Sequence, residues 1–285
     1  MSARGLLGRS LILGALYAAA QMLVTAALGT LSGHAPPLEE GLTWWLSGTL
    51  LALVLAPFIR RSTWPQAPTM LAVWAAIALV RSLGTGIEGS IFRPTEANRV
   101  VIGSLTDAGV GLLTAWLAVR LLRGSQPRPS MQPSPPRTAW GWTWRVLLVG
   151  LAYVALYFVF GAANAFLYTL SFYQNNPQYG LALPPVGTIL LAQLIRGPLF
   201  GLGALILARL TDMPRRWTAV SLGLVLFVLG GLGPYVETTF RSMPLGFNLA
   251  TLIELFLQNF FTGVVAAILY GTRATEPSQA AGPAV

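Results

Sequence analysis

Six ionisable side chains stand where a hydrophobic chain has little reason to place them. Arg81, Asp107, Arg196 and Glu254 fall inside apolar runs of about twenty residues, and Glu88 and Glu237 close two such runs. At ~1.5 Å per helical residue, Asp107 lies roughly 12 Å inward from Arg99 and Arg81 roughly 10 Å inward from Glu88. The same count puts Arg196 roughly 14 Å inward from Val186 and Glu254 roughly 9 Å inward from Asn248. All four share one layer, with Gln193, one turn from Arg196, and Asn164 near it. Charges at this depth are costly unless paired or hydrated, so the layer is where substrate or coupling-ion chemistry is first sought.

Spacing adds to this. Thr251, Glu254, Gln258 and Thr262 recur at intervals of three, four and four, which places them on one helix face that cannot be turned to lipid. Gly103, Asp107 and Gly111 recur every four residues and set a carboxylate between two positions where another backbone can approach, as Gly201 and Gly203 also allow. The structural alternative is that these charges only fix helix register. Two arginines and two acids at one depth sum to zero, with Arg81 beside Asp107 on consecutive antiparallel helices as the natural ion pair and Arg196 with Glu254 as the second. Glu88 and Glu237 are shallower by this count and read as acids lining an entrance, with Gly84 and Gly233 one turn before them letting two parts of the chain meet. Glu237 and Arg241, four apart, would form a local bridge.

Other chemistry has little to work with. The chain has no cysteine, one histidine (His34) and no lysine, so metal centres, thiol chemistry, phosphate-cradling Gly-Lys loops and histidine-based nucleophile activation lack their residues. No cofactor or metal is expected, and enzymatic function is weakly supported. Glu237-Thr-Thr-Phe-Arg241 resembles the glutamate-to-arginine motif of the CPBP-type intramembrane proteases. The paired glutamate and the histidine motifs of that family are absent here, so its activity is not carried over.

The elements that must position these residues are membrane helices. The 285 residues are 54% hydrophobic and 9% charged, too apolar for a soluble domain of this length. Apolar runs near 6–31, 42–59, 68–87, 100–122, 145–170, 186–207, 217–236 and 248–270 predict eight spanning helices. All 18 basic residues are arginine. When eight helices are threaded, thirteen arginines fall on one side and Arg93, Arg99 and Arg241 on the other, with Arg81 and Arg196 inside helices, so both termini are expected to be cytoplasmic. The net charge of +9 then reports topology, and no nucleic-acid partner is expected.

The chain also reads as a duplication. Leu83-Gly84-x-x-Ile87-Glu88 returns 149 positions later as Leu232-Gly233-x-x-Val236-Glu237, within an ungapped match that pairs Gly48 with Gly197, Arg60 with Arg209 and Thr69 with Thr218. The first helix matches the fifth at an offset of 136, pairing Arg9 with Arg145, Gly14 with Gly150 and Tyr17 with Tyr153. A mid-chain copy argues against reading the first run as a signal peptide. The expected architecture is an all-α integral membrane protein of two parallel four-helix repeats, 1–123 and 143–273. A Pro/Ser-rich cytoplasmic linker at 124–142 joins them, and a disordered tail follows at 274–285.

The function expected from this is a multi-pass cell-membrane transporter or permease for a small polar or cationic solute, coupled to protons or cations through Asp107, Glu254 or the Glu88 and Glu237 pair. The alternative is a non-transporting assembly, sensor or scaffold module with a structural polar layer. The lipid bilayer is the expected surrounding; a protein partner or homo-oligomer fits either reading.

Overall fold

The computed structural model describes residues 2–32, 38–92, 97–124, 138–179, 183–238, 240 and 242–271. Eight long helices carry them: α1 (Ala3–Ser32), α2 (Leu38–Arg60), α3 (Gln66–Phe92), α4 (Ala97–Leu122), α5 (Ala139–Asn175), α6 (Val186–Leu210), α7 (Arg215–Thr238) and α8 (Leu245–Tyr270). Each is long and apolar enough to cross a membrane. A helix satisfies its own backbone hydrogen bonds, which is what the hydrocarbon interior demands of a spanning segment. The architecture is therefore all-helical and of the multi-pass type.

Local sequence sets the helix starts. Pro65, Pro185, Pro214 and Pro244 stand immediately before α3, α6, α7 and α8, where a missing N–H costs nothing. Thr138 caps α5 by accepting a hydrogen bond from Gly141 N at 3.1 Å. This cap starts the helix at Ala139, four residues inside the stretch expected to be linker. The rest of that stretch from 125, the tail beyond 271, His34 and Arg241 lie outside the described residues.

Burial separates an inner set of helices from an outer one. In the most apolar windows of α2, α3, α6 and α7, 44 to 61% of residues are buried, against 22 to 39% in α1, α4, α5 and α8. Outside, Phe166, Leu167, Leu23, Leu105 and Leu245 are exposed, as lipid-facing side chains would be. Small residues bring the helices together. A Cβ on Gly150 would meet Pro198 N at 2.8 Å, and one on Gly201 would meet Val146 O at 2.8 Å, so α5 and α6 touch backbone to backbone. Gly111 admits Ile77 in the same way, whereas Gly103 has nothing within 4 Å and faces open space, contrary to the close approach its spacing suggested.

One end of the bundle is packed shut. Leu51, Leu55, Phe58, Ile59, Val73, Val80, Phe200, Leu207, Leu222 and Val225 form a continuous core toward the ends of α2 and α6. The loops there meet in an antiparallel bridge between Ser62 and Thr211, with Thr63 N donating to Leu210 O at 3.1 Å. Arginines donate to backbone carbonyls at this end, three of them at helix C-termini. Arg9 donates to Leu121 O at 2.6 Å, Arg123 to Trp64 O at 2.6 Å, Arg145 to Leu269 O at 3.1 Å and Arg215 to Ile268 O at 3.2 Å. Cations at the carbonyl ends of α4 and α8 are favourable, so Arg9, Arg145 and Arg215 hold structure there.

Candidate functional site

The opposite end is open. A cavity of about 1650 Å³ enters between the first four helices and the last four, lined near its mouth by Glu40, Phe92, Pro184 and Phe247 and at its base by Arg81, Asp107, Glu237, Glu88, Asn164 and Glu254. Three segments of π-helix border it: Ile77–Gly84 in α3, Ala165–Thr169 in α5 and Val228–Leu232 in α7. Such turns widen and re-aim a helix and recur at functional sites. Here they carry Arg81, Ser82 and the glycine pair Gly230 and Gly231 to the cavity wall.

Arg81 organises one side of the base. Its Nε donates to both oxygens of Asp107 at 2.9 and 3.1 Å, and its Nη2 donates to Glu237 Oε2 at 2.6 Å and to the Tyr17 hydroxyl at 2.8 Å. Nη1 reaches Ser47 Oγ at 3.5 Å. Ser82 donates to Asp107 Oδ2 at 2.9 Å, and Gln21 donates to the Tyr17 oxygen at 2.8 Å. The guanidinium, 3% exposed, has every nitrogen engaged. Gly233 makes room for it: a Cβ there would sit 2.7 Å from Arg81 Nη1 and 3.0 Å from Ser47 Oγ.

Arg196 organises the other side differently. Its Nη2 approaches Glu88 Oε2 at 2.8 Å, an ionic contact that falls short of hydrogen-bond geometry, and its Nη1 donates to Gln193 Oε1 at 2.8 Å. The guanidinium packs on the rings of Tyr153 and Phe200, 5.6 and 5.5 Å from their centroids, a placement that favours a cation. Among the described residues its Nε has no partner, nor do Gln193 Nε2, the Tyr153 hydroxyl, Asn259 Oδ1 or either amide atom of Gln258. Glu254 stands apart from both arginines, accepting from Asn164 Nδ2 at 2.5 Å.

The expected residues are thus gathered, with changed partnerships. Arg81 and Asp107 form the pair their matched depth implied. Arg196 does not pair with Glu254; Glu88 on α3 takes that place, because α6 packs against the π-helical part of α3. Glu237 and Glu88 are not free acids at an entrance. The long arginine side chains and the π-turns close the height difference that straight-helix counting gave, so Glu237, with an 8% exposed side chain, lies in the charged layer itself. The bridge expected from Glu237 to Arg241 falls on a residue outside the described set, and Glu237 is engaged by Arg81. Gln193, Arg196 and Gln258 are completely buried behind the lining, while Asn164, Asp107 and Glu254 face the cavity.

The layer holds two arginines against four carboxylates, where the sequence count had balanced two against two. Sequence reasoning overlooked Tyr17, Gln21, Ser47, Ser82, Tyr153 and Tyr157. The match of Tyr17 with Tyr153 was visible in the sequence, and its polar tip inside an apolar run was the available signal. Among the described residues, no three His, Cys, Asp or Glu side chains converge as a metal centre requires. Comparison with protein-family models, curated proteins and solved structures finds no match. The chemistry of the cavity is therefore the guide to function.

Proposed function

We propose that the chain is a secondary transporter or permease of the cell membrane for a small polar or cationic solute, coupled to protons or cations through its intramembrane carboxylates. One observation carries the reading: a cavity of about 1650 Å³ is lined by Asp107, Glu237, Glu88 and Glu254, with a packed core between it and the other end of the bundle. A polar layer that merely held helices in register would be sealed and fully paired, yet Glu254 faces the cavity without an arginine. An excess of carboxylates at this depth favours uptake of a proton or cation, since either relieves the cost of unpaired negative charge in low dielectric.

In this reading the chain is two parallel four-helix repeats with both termini in the cytoplasm. The antiparallel bridge between Ser62 and Thr211 and the π-turns of α3 and α7 fall at positions 149 apart or nearly so, which supports duplication. The two inter-half ion pairs support it further, each using one of the matched glutamates. The cavity then faces outward and the packed, arginine-capped end faces the cytoplasm, in keeping with the positive-inside bias.

Reconstitution into vesicles tests this. Proton flux or solute uptake should fall in Glu254→Gln and in Asp107→Asn; flux left unchanged by both substitutions would sink the proposal. The full engagement of Arg81 favours a second reading for that side alone, in which its cluster fixes the packing of the two halves and takes no part in transport.

A further inference from the structure

We infer that the cavity receives a bulky organic cation with an apolar body, its charged group held at Glu254. This rests on the transport reading for its biological sense, but not for its chemistry.

Charge placement comes first. Asp107, Glu237, Glu88, Glu254 and, near the mouth, Glu40 all line the cavity. Of the two arginines one sits behind them and the other, Arg81, reaches the lining with its charge already engaged. Arg196 is fully buried and absent from the lining, and Arg81 has its nitrogens committed to Asp107, Glu237, Tyr17 and Ser47. A ligand entering therefore meets five carboxylates against one lining arginine, Arg81, whose nitrogens are already committed. Among the acids at the base, Glu254 is the one without an ion pair to a described residue. No ion pair reaches it among the described residues, and its hydrogen bond from Asn164 occupies Oε2 alone. Oε1 lies over Gly161, where a Cβ would stand 3.2 Å away, so a glycine leaves the space beside the free oxygen open.

Size and wall chemistry come second. About 1650 Å³ exceeds the roughly 300–1000 Å³ usual for drug-sized ligands, and is far more than a metal ion or a hydronium needs. Tyr157 and Phe158 lie on α5 one turn or less before Gly161, Leu255 follows Glu254 on α8, and Tyr173 and Phe247 continue the wall toward the mouth. Aromatic faces beside a carboxylate suit a diffuse, weakly hydrated cation, which gains from both. An ordinary inorganic cation would leave most of this wall empty.

Third, the ground beneath Glu254 is unsatisfied in a way that the Arg81 side is not. Gln258, one turn further along α8, is completely buried with neither amide atom partnered, and Gln193 Nε2, Arg196 Nε and Tyr153 Oη are likewise unpartnered. The side near Arg81 is finished; the side near Glu254 is the one prepared for rearrangement around a ligand.

The test is equilibrium binding of tetraphenylphosphonium to the full chain in detergent, with tetraphenylborate, an anion of the same shape, as comparison. Saturable binding near one per chain is expected, at least tenfold weaker in Glu254→Gln, while tetraphenylborate, titrated in a separate sample because the two ions co-precipitate, should show no saturable binding. Gly161→Leu, which fills the space beside Oε1 without altering charge, should weaken it similarly while leaving the unfolding temperature close to that of the parent. Equal binding of the two probes would overturn the inference and point to an apolar pocket for lipid chains, as would unaltered binding in both variants. Vesicle uptake separates this from the transport reading. Binding without uptake upholds the cation site and removes transport; uptake of a small cation such as guanidinium by a protein that does not bind tetraphenylphosphonium does the reverse.

Discussion

Arg81 and Glu237 lie 156 residues apart and meet at 2.6 Å, so a cation on the third helix is held by a carboxylate on the seventh. The relation is answered on the other side by Arg196 on the sixth helix and Glu88 on the third, at 2.8 Å. At the sequence offset of 149 residues the two acids match each other and the two arginines do not. Position 230, which matches Arg81, is a glycine that accommodates the ring of Phe200, and position 47, which matches Arg196, is the serine beside Arg81. Each half thus supplies an acid from the same place and receives an arginine from a different one. The two halves are tied together by charge while their sites are left unlike.

Removing Arg81 should be among the most damaging single changes. Arg81→Ala leaves Asp107 and Glu237 buried together without a counter-charge, and a cost of about 3–5 kcal/mol is expected for breaking a buried pair from one side. The double variant Arg81→Met with Glu237→Gln removes charges from both partners and should cost less than the sum of its parts. Thermal unfolding in detergent reads both. Strict additivity would mean that the contact is not a coupled one.

Two glycines in the same layer should respond in opposite ways. A Cβ at Gly233 would sit 2.8 Å from Val228 O and 2.7 Å from Arg81 Nη1, and backbone cannot step aside, so Gly233→Ala should destabilise by about 1–3 kcal/mol. Gly103 has no neighbour within 4 Å, and Gly103→Ala should be neutral or gain about 0.5–1 kcal/mol from reduced chain entropy. Equal unfolding temperatures for the two variants would contradict the packing described.

Much of this was legible before any coordinates. Eight apolar runs gave eight helices, and matched depth gave the Arg81 pair with Asp107, because both follow from rise per residue and local pattern. Which acid answers Arg196 was not legible. It depends on how α6 lies against α3, and helix packing in a chain this uniformly apolar leaves little trace in composition. The π-turns were invisible for a related reason: they shift register by one residue without any change of residue type. Tyr17 and Gln21 read as ordinary members of an apolar run, although their polar atoms complete the Arg81 cluster.

The absence of cysteine makes the cavity directly testable. Single cysteines at Thr251 and Gly103, both on the lining, should react with a membrane-impermeant thiol reagent added from one side only. Cysteines at Leu105 and Leu167, exposed toward lipid and outside the cavity, should resist it. Glu40→Cys, near the mouth, should react from the same side as Thr251→Cys. In intact cells the reactive side should be the outer one if the arginine-capped end is cytoplasmic. Reaction of Thr251→Cys only from the opposite side would reverse the assigned orientation.

The last helix offers a contrast between two buried amides. Asn248 is fully used: its Nδ2 donates to Phe240 O at 2.8 Å and Met243 O at 2.9 Å, and its Oδ1 accepts from Tyr235 at 2.7 Å. Gln258, ten residues on and equally buried, makes no side-chain hydrogen bond among the described residues. If both served only to hold the fold, Gln258 would be a defect, since an unpartnered buried amide costs about 1–3 kcal/mol and its replacement by an apolar residue of similar shape would be neutral or favourable. Asn248→Leu should therefore lower stability by about 2 kcal/mol or more, whereas Gln258→Met should leave it unchanged or raised. Retaining such a residue beneath Glu254 makes sense when another conformation, or water admitted from the cavity, supplies its partners. Gln258→Met should then fold at least as well as the parent and bind tetraphenylphosphonium normally, yet slow proton flux or solute uptake in vesicles severalfold. Undiminished flux in a stable Gln258→Met protein would remove Gln258 from the pathway and confine the working site to the cavity wall.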